Sequence, residues 1–170
     1  MMPEIFVRAV GTHDHLVTRK IVEEAFGETG EETAAFLDAL RADGCILGEW
    51  LAEDGGTPIG HIVFSRVWIE RPDGVRVDAA MLTPLAVRPD RQRTGVGKRL
   101  MDHTLTLLEQ QGETIFLVLG HPDYYPRAGF KAVAADQVAS PWPGEPAFMA
   151  RGAHLPSGRL VMAAVIADAH

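Results

Sequence analysis

Cysteine is nearly absent: Cys45 stands alone in a chain of 170 residues. No internal disulfide can form, which suits a reducing compartment, the cytoplasm. Cys45 itself reads as a small apolar residue at a strand start rather than a nucleophile. No apolar run approaches the roughly 20 residues that a membrane-spanning helix needs. The opening Met1-Met2-Pro3-Glu4 also lacks the basic-then-apolar pattern of a leader, so no membrane partner is expected. Cations are scarce, with 16 Lys and Arg against 23 Asp and Glu and a net charge of -7. That balance argues against nucleic acid as a main partner, because binding it needs a basic face. The seven histidines show no ligand spacing such as His-Glu-x-x-His, and no metal is expected. Repeats and low-complexity linkers are missing as well. What is present, 46% hydrophobic residues, suffices for one substantial core and a single domain over residues 1–170.

The few cations are unevenly placed. Arg88, Arg91, Arg93, Lys98 and Arg99 crowd one segment, with Asp90 its only acid. There an apolar strand ending Leu85-Ala86-Val87 runs through Pro89 into Gln92-Arg93-Thr94-Gly95-Val96-Gly97-Lys98, and then into a helix. Glycines allow close backbone approach to a ligand. The first turn of a helix presents unpaired N–H groups and the positive end of its dipole, so the segment reads as a site for a phosphate or diphosphate. It is not a nucleotide-triphosphate loop, because Gly97-Lys98 is followed by Arg99 and position 92 is Gln. It is not a dinucleotide fingerprint either, because Leu100 stands where a third glycine is needed.

Around this segment the punctuation predicts a first strand at Ile5–Arg8 and a helix capped by Asp14 and running to Phe26. A second helix follows, opened by a Thr29–Glu32 capping box and closed at Asp43-Gly44. The acidic turn between them, residues 27–32, is either a solvated loop or a substrate-contacting one. Strands are expected at Cys45–Ala52, Pro58–Ile69 and Val75–Val87. Pro84 in the last marks either an edge strand or a bulge that would splay this strand from its neighbour around Leu85–Val87. The central helix spans about Gly95 to Gln111. It leads to Ile115-Phe116-Leu117-Val118-Leu119, an unbroken apolar run expected of a strand covered on both faces and parallel to the preceding one. In the tail, residues 140–146 must be irregular. Phe148–Arg151 and Leu160–Val165 are expected as the last strands, joined by a turn at Pro156-Ser157-Gly158. Trp142 either caps the core or lines a pocket.

After the apolar run comes Gly120-His121-Pro122-Asp123-Tyr124-Tyr125-Pro126-Arg127-Ala128-Gly129-Phe130. With Gln92-x-x-Gly95-x-Gly97 upstream, it resembles the GCN5-related N-acetyltransferases (GNAT), in a bacterial branch of predicted acetyltransferases. That branch usually carries Phe where Ala128 stands. The resemblance implies an α/β (α+β) fold with a mixed central sheet of about six to seven strands and about four helices, its splayed parallel strands binding acyl-CoA. It further implies acetyl-CoA as cosubstrate, held by Leu85, Ala86, Val87, Gln92, Arg93, Thr94, Gly95, Val96, Gly97 and Lys98. Tyr125, five residues before Phe130, is then the proton donor to the leaving thiolate. The acceptor is an amine, of a small molecule or a protein, and an acidic loop between the first two helices would favour a cationic one. Asp78, Glu23, Glu24, His121 and a water chain remain open as the base. A non-catalytic acyl-CoA sensor of the same fold is the alternative, and the oligomeric state stays open between monomer and homodimer.

Overall fold

The computed structural model describes residues 4–134, 136–142, 145–152 and 154–169. Strand β1 (Ile5–Ala9) leads to helices α1 (His15–Phe26) and α2 (Gly30–Asp43), then to strands β2 (Ile46–Asp54), β3 (Thr57–Glu70) and β4 (Arg76–Val87). Gly55 and Gly56, both with positive φ at 57° and 85°, make the two-residue turn between β2 and β3. That is the backbone which matches the twist of a hairpin. Helix α3 (Val96–Gln110) crosses to β5 (Phe116–Leu119). The tail adds β6 (Lys131–Ala132), β7 (Val138–Ala139), β8 (Phe148–Arg151), β9 (Gly158–Val161) and the short helix α4 (Ala164–Ala167).

These strands form one nine-stranded sheet in the order β1-β2-β3-β4-β5-β8-β6, with β9 on the distal half of β3 and β7 beside β9. The contact of β4 with β5 is parallel, as the crossover through α3 requires. Alternation sorts the side chains. Phe64, Ala80, Leu82, Phe116 and Val118 pack with Leu100, Leu105 and Leu108 of α3. Val67, Ile69, Ala79, Met81 and Leu117 pack on the opposite face with Leu40 and Ile166. The expectation of a strand covered on both faces holds for β5, each of whose first three residues is buried.

The alternation breaks once where it matters. Leu82 and Leu85, three residues apart, both pack on the α3 side. In a regular strand an odd spacing would put them on opposite faces. The register with β3 jumps from Phe64↔Leu82 to Ile62↔Leu85, so Thr83 and Pro84 carry one extra residue. Pro84 therefore marks a bulge in an inner strand and not an edge. Pairing of β4 with β5 is confined to Ala80↔Phe116 and Met81↔Leu117. Beyond Met81 the two strands part.

Three local expectations are corrected. Asp14 precedes α1 but makes no side-chain capping bond. Its carboxylate instead accepts two hydrogen bonds from Arg8, at 2.8 and 2.9 Å, and one from the Gly11 N–H at 2.8 Å. A guanidinium fork outcompetes a single helical amide. Thr29 likewise makes no capping box with Glu32, and its hydroxyl donates back to the Phe26 carbonyl at 3.1 Å. The final strand stops at Val161, and the alanine-rich stretch behind it turns into α4, burying Ile166 completely. Strands β8 and β9 are not a hairpin, because β8 pairs with β5 and β6 while β9 pairs with β3 and β7. Residues 140–146 carry no strand among those described, with Pro143 and Gly144 lying outside them.

Candidate active site

The parting of β4 and β5 opens a cleft of about 600 Å³. Thr83, Pro84 and Leu85 line it from β4, and Leu119, Gly120 and Tyr125 from β5 and the chain beyond. The Arg88 N–H donates to the Ile59 carbonyl at 2.9 Å. Ladder alternation from that bond turns the N–H and C=O of Ala86 toward β3, and those of Leu85 and Val87 toward the gap. The sequence grouped Leu85, Ala86 and Val87 together; the ladder separates Ala86, whose side chain is also buried against α1.

From Val87 the chain passes through a 3₁₀ turn, Pro89–Arg91, into the glycine loop. The Gln92 amide donates back to the Val87 carbonyl at 3.0 Å, and the Thr94 hydroxyl donates to the Arg91 carbonyl. These two bonds hold the loop's shape. Arg93 takes φ of 64° and Gly95 φ of 92°, a left-handed pair that delivers the chain into the first turn of α3. The first backbone bond there runs from Arg99 N–H to the Gly95 carbonyl at 3.0 Å. Ahead of it the amides of Val96, Gly97 and Lys98 are in the position that every helix start leaves without an intrahelical acceptor.

The cationic cluster is less available than its composition implied. Arg91 is tied to Asp54 at 2.6 Å, Arg88 to Glu24 at 3.5 Å, Lys98 to Asp102 at 2.6 Å, and Arg99 to the Ile5 carbonyl at 2.7 Å. Arg93 alone of the five has no such partner among the described residues. What the loop offers to an anion is main-chain amides and Arg93, more than a cloud of cations.

Tyr125 opens a single 3₁₀ turn, Tyr125–Ala128, and is 9% exposed. Burial and the neighbouring Tyr124 push its phenol well above the ordinary tyrosine value, so it carries its proton at neutral pH. Its ring meets Phe130 and Tyr124 edge-to-face, with centroids 6.0 and 5.0 Å away. Gly120 lies under that ring and Gly97 lies under the Tyr124 hydroxyl; a side chain on either glycine would collide. The two tyrosines thus tie the chain after β5 to the start of α3. Sequence reading singled out neither Gly120 nor Tyr124, although both stand inside the motif that contains Tyr125.

Of the residues considered as bases, only His121 lines the cleft. Asp78 is exposed beside Arg66 at 3.8 Å, Glu23 pairs with Arg19, and Glu24 faces Arg88. Glu32 from the acidic turn does line the cleft, along with Phe26 and Phe36. Helix α2 begins at Gly30, so Glu32 and Phe36 fall on one helical face. Trp142 packs against Phe148 in the core at 5.4 Å, in keeping with a capping role. Among the described residues no group of His, Cys, Asp or Glu could hold a metal, and no helix is long and apolar enough to cross a membrane.

Residues 15–130 match the Acetyltransferase (GNAT) family. The chain is 34% identical over 131 residues to the uncharacterized N-acetyltransferase YjhQ of Escherichia coli (strain K12), covering 74% of this chain and 69% of that protein. It is 34% identical over 112 residues to the uncharacterized N-acetyltransferase YhbS of the same organism, covering 65% of each. A GNAT family acetyltransferase from Brucella melitensis, solved in complex with acetyl-CoA, is similar with a TM-score of 0.80 at 28% identity, over 97% of this chain and 99% of that one. The crystal structure of YhbS from Escherichia coli in complex with CoA shares the fold, with a TM-score of 0.86 at 24% identity over 98% and 93% of the two chains.

Proposed function

The chain belongs to the GNAT acetyltransferase family, and from that premise we propose that it moves the acetyl group of acetyl-CoA directly onto an amine. The observation that supports this reading is the gap beyond Met81, a cleft lined by Leu85 of β4 and by Tyr125, with the glycine loop following the same strand through the turn Pro89–Arg91. The amides of Val96, Gly97 and Lys98, with Arg93, hold the diphosphate. Gln92, Thr94 and Gly95 shape the loop. The main chain of Leu85 and Val87 pairs with the amides of the pantetheine arm as an added strand would. Ala86 anchors that edge to β3.

The amine nitrogen attacks the thioester carbonyl, a C–N bond forms, and the carbonyl oxygen gains charge that a β4 amide in the gap stabilises. As the C–S bond breaks, Tyr125 gives its proton to the thiolate. The nitrogen loses one proton through His121 or water, and the phenolate is reprotonated, so one proton moves from nitrogen to sulfur overall. A free thiol has a pKa of about 8.5, well below the buried phenol. The same burial penalises a thiolate, so the transfer runs between two desolvated groups rather than from a buried acid to a solvated base. No covalent enzyme intermediate is needed.

The test is release of free thiol from acetyl-CoA over a panel of amines. Tyr125→Phe is expected to lower kcat by roughly 10²–10⁴-fold with CoA affinity unchanged. Unchanged turnover would remove Tyr125 as the acid. CoA binding with no thiol release on any amine would favour a sensor.

A further inference from the structure

The acceptor side of the cleft has a definite chemistry. Phe26 from α1, Phe36 from α2, Met81 from β4 and Leu119 from β5 make it apolar. Among the described residues that line it, Glu32 is the one carboxylate and none is lysine or arginine. Glu32 and Phe36 are one turn apart on the same face of α2, so charge and aromatic surface are offered together. We propose that the acceptor is a primary amine with one ammonium group and an apolar aryl or alkyl body, lacking a carboxylate; this rests on the acetyl-transfer reading above. Glu32 draws the ammonium in at the mouth, and Phe26 and Phe36 take the body. The nitrogen gives one proton to solvent before it attacks as the neutral amine, so two protons leave nitrogen in all, one to solvent and one to sulfur. Free amino acids are disfavoured, because their carboxylate would enter a cleft whose described lining holds Glu32 and no permanent cation. Polyamines are disfavoured, because a second ammonium would be desolvated against apolar side chains without a partner. The cleft, at about 600 Å³, also admits the end of the pantetheine arm, which leaves room for a body of one ring or a short chain.

The experiment compares 2-phenylethylamine and hexylamine with phenylalanine and spermidine in the thiol-release assay. Binding of 2-phenylethylamine is followed by calorimetry on the protein with and without CoA. The expected kcat/KM for the two monoamines exceeds that for phenylalanine by about 100-fold and that for spermidine by about 10-fold. Glu32→Gln should raise KM for 2-phenylethylamine by about tenfold with CoA affinity unmoved, and Phe36→Ala should raise it by at least as much. Phenylalanine or spermidine processed as well as the monoamines, or a Glu32→Gln variant with unchanged KM, would overturn the proposal. So would CoA-loaded protein that binds no monoamine. If CoA fails to bind, the acetyl-transfer reading falls, while amine binding to the cofactor-free protein still decides this one.

Discussion

A Cβ placed on Gly120 would overlap Cε2 of the Tyr125 ring and lie 3.0 Å from its Cδ2. The phenol therefore rests directly on the backbone that leaves β5, with Phe130 on another side at a centroid distance of 6.0 Å. On those two sides the ring has no room to move. Gly120→Ala is expected to cost roughly 1–3 kcal/mol of stability by overpacking, and to lower kcat by moving the hydroxyl. CoA affinity should change less than kcat, because Gly120 itself lies outside the glycine loop. A variant with wild-type kcat and wild-type denaturant midpoint would show that the ring's seat does not position it.

At Gly95 the limit is conformation, not room. Its φ is 92°, and nothing lies within 4 Å of an added Cβ. Gly95→Ala should cost roughly 1–2 kcal/mol from the left-handed backbone alone. Gly95→Glu adds a like charge beside the proposed diphosphate, and calorimetry should then find CoA binding lost. Normal CoA binding by the glutamate variant would mean that the loop does not hold the cofactor.

Asp14 joins the first strand to the first helix. It is 4% exposed, and Arg8 holds its carboxyl well below the usual carboxylate range. Asp14→Ala strands hydrogen-bond donors of Arg8 and the Gly11 N–H, and is expected to cost roughly 1–3 kcal/mol in urea unfolding. Asp14→Asn keeps an acceptor for Gly11 and should cost less. Equal losses would mean that the charge on Asp14 carries the whole effect and the bond from the Gly11 N–H none of it.

Buried His61 sets a pH dependence. Its Nε2 lies 2.9 Å from Glu49 Oε1, which Arg41 also bonds at 2.7 Å, and its Nδ1 has no partner among the described residues. Burial alone would raise the Glu49 carboxyl, but hydrogen bonds from His61 and Arg41 outweigh it and bring the group down to about 2. Glu49 is thus an acceptor, and His61 donates to it through Nε2–H. Burial outweighs that bond for His61 itself and keeps the imidazole below its ordinary value, hence neutral. Below about pH 6.5 the unfolded histidine takes up a proton that the folded one refuses, so stability falls as pH falls, by up to about 1.4 kcal/mol per pH unit. Glu49 adds a further loss from about pH 4.5 down toward 2, where the unfolded carboxyl protonates first. His61→Gln, which can still donate to Glu49, should flatten the stability profile between pH 7 and 5.5. Superimposable profiles for the two proteins would refute the assignment.

The elements around the cleft were readable in the chain because their signals are local. Gly95 and Gly97 announce the loop, the run Ile115–Leu119 announces an inner strand, and Pro84 offers a bulge as one of two meanings. Which meaning holds depends on β5 lying beyond β4, which no residue near Pro84 encodes. The capping readings of Asp14 and Thr29 failed for a related reason. Each residue has the right chemistry at the right place, but Arg8 offers Asp14 a stronger partner from the preceding strand.

The sequence by itself determined the shape of the glycine loop, since backbone conformation and hydrogen-bonding capacity are properties of neighbouring residues. Tertiary structure decided the rest. It committed Arg91 to Asp54, 37 positions away, and Arg99 to Ile5, 94 away, leaving Arg93 as the loop's available cation. It also set Glu32 and Phe36 in the wall of the cleft that Leu119 lines, and laid Tyr125 on Gly120. Periodicity tells which residues share a face, but only the packing of distant elements tells what that face meets.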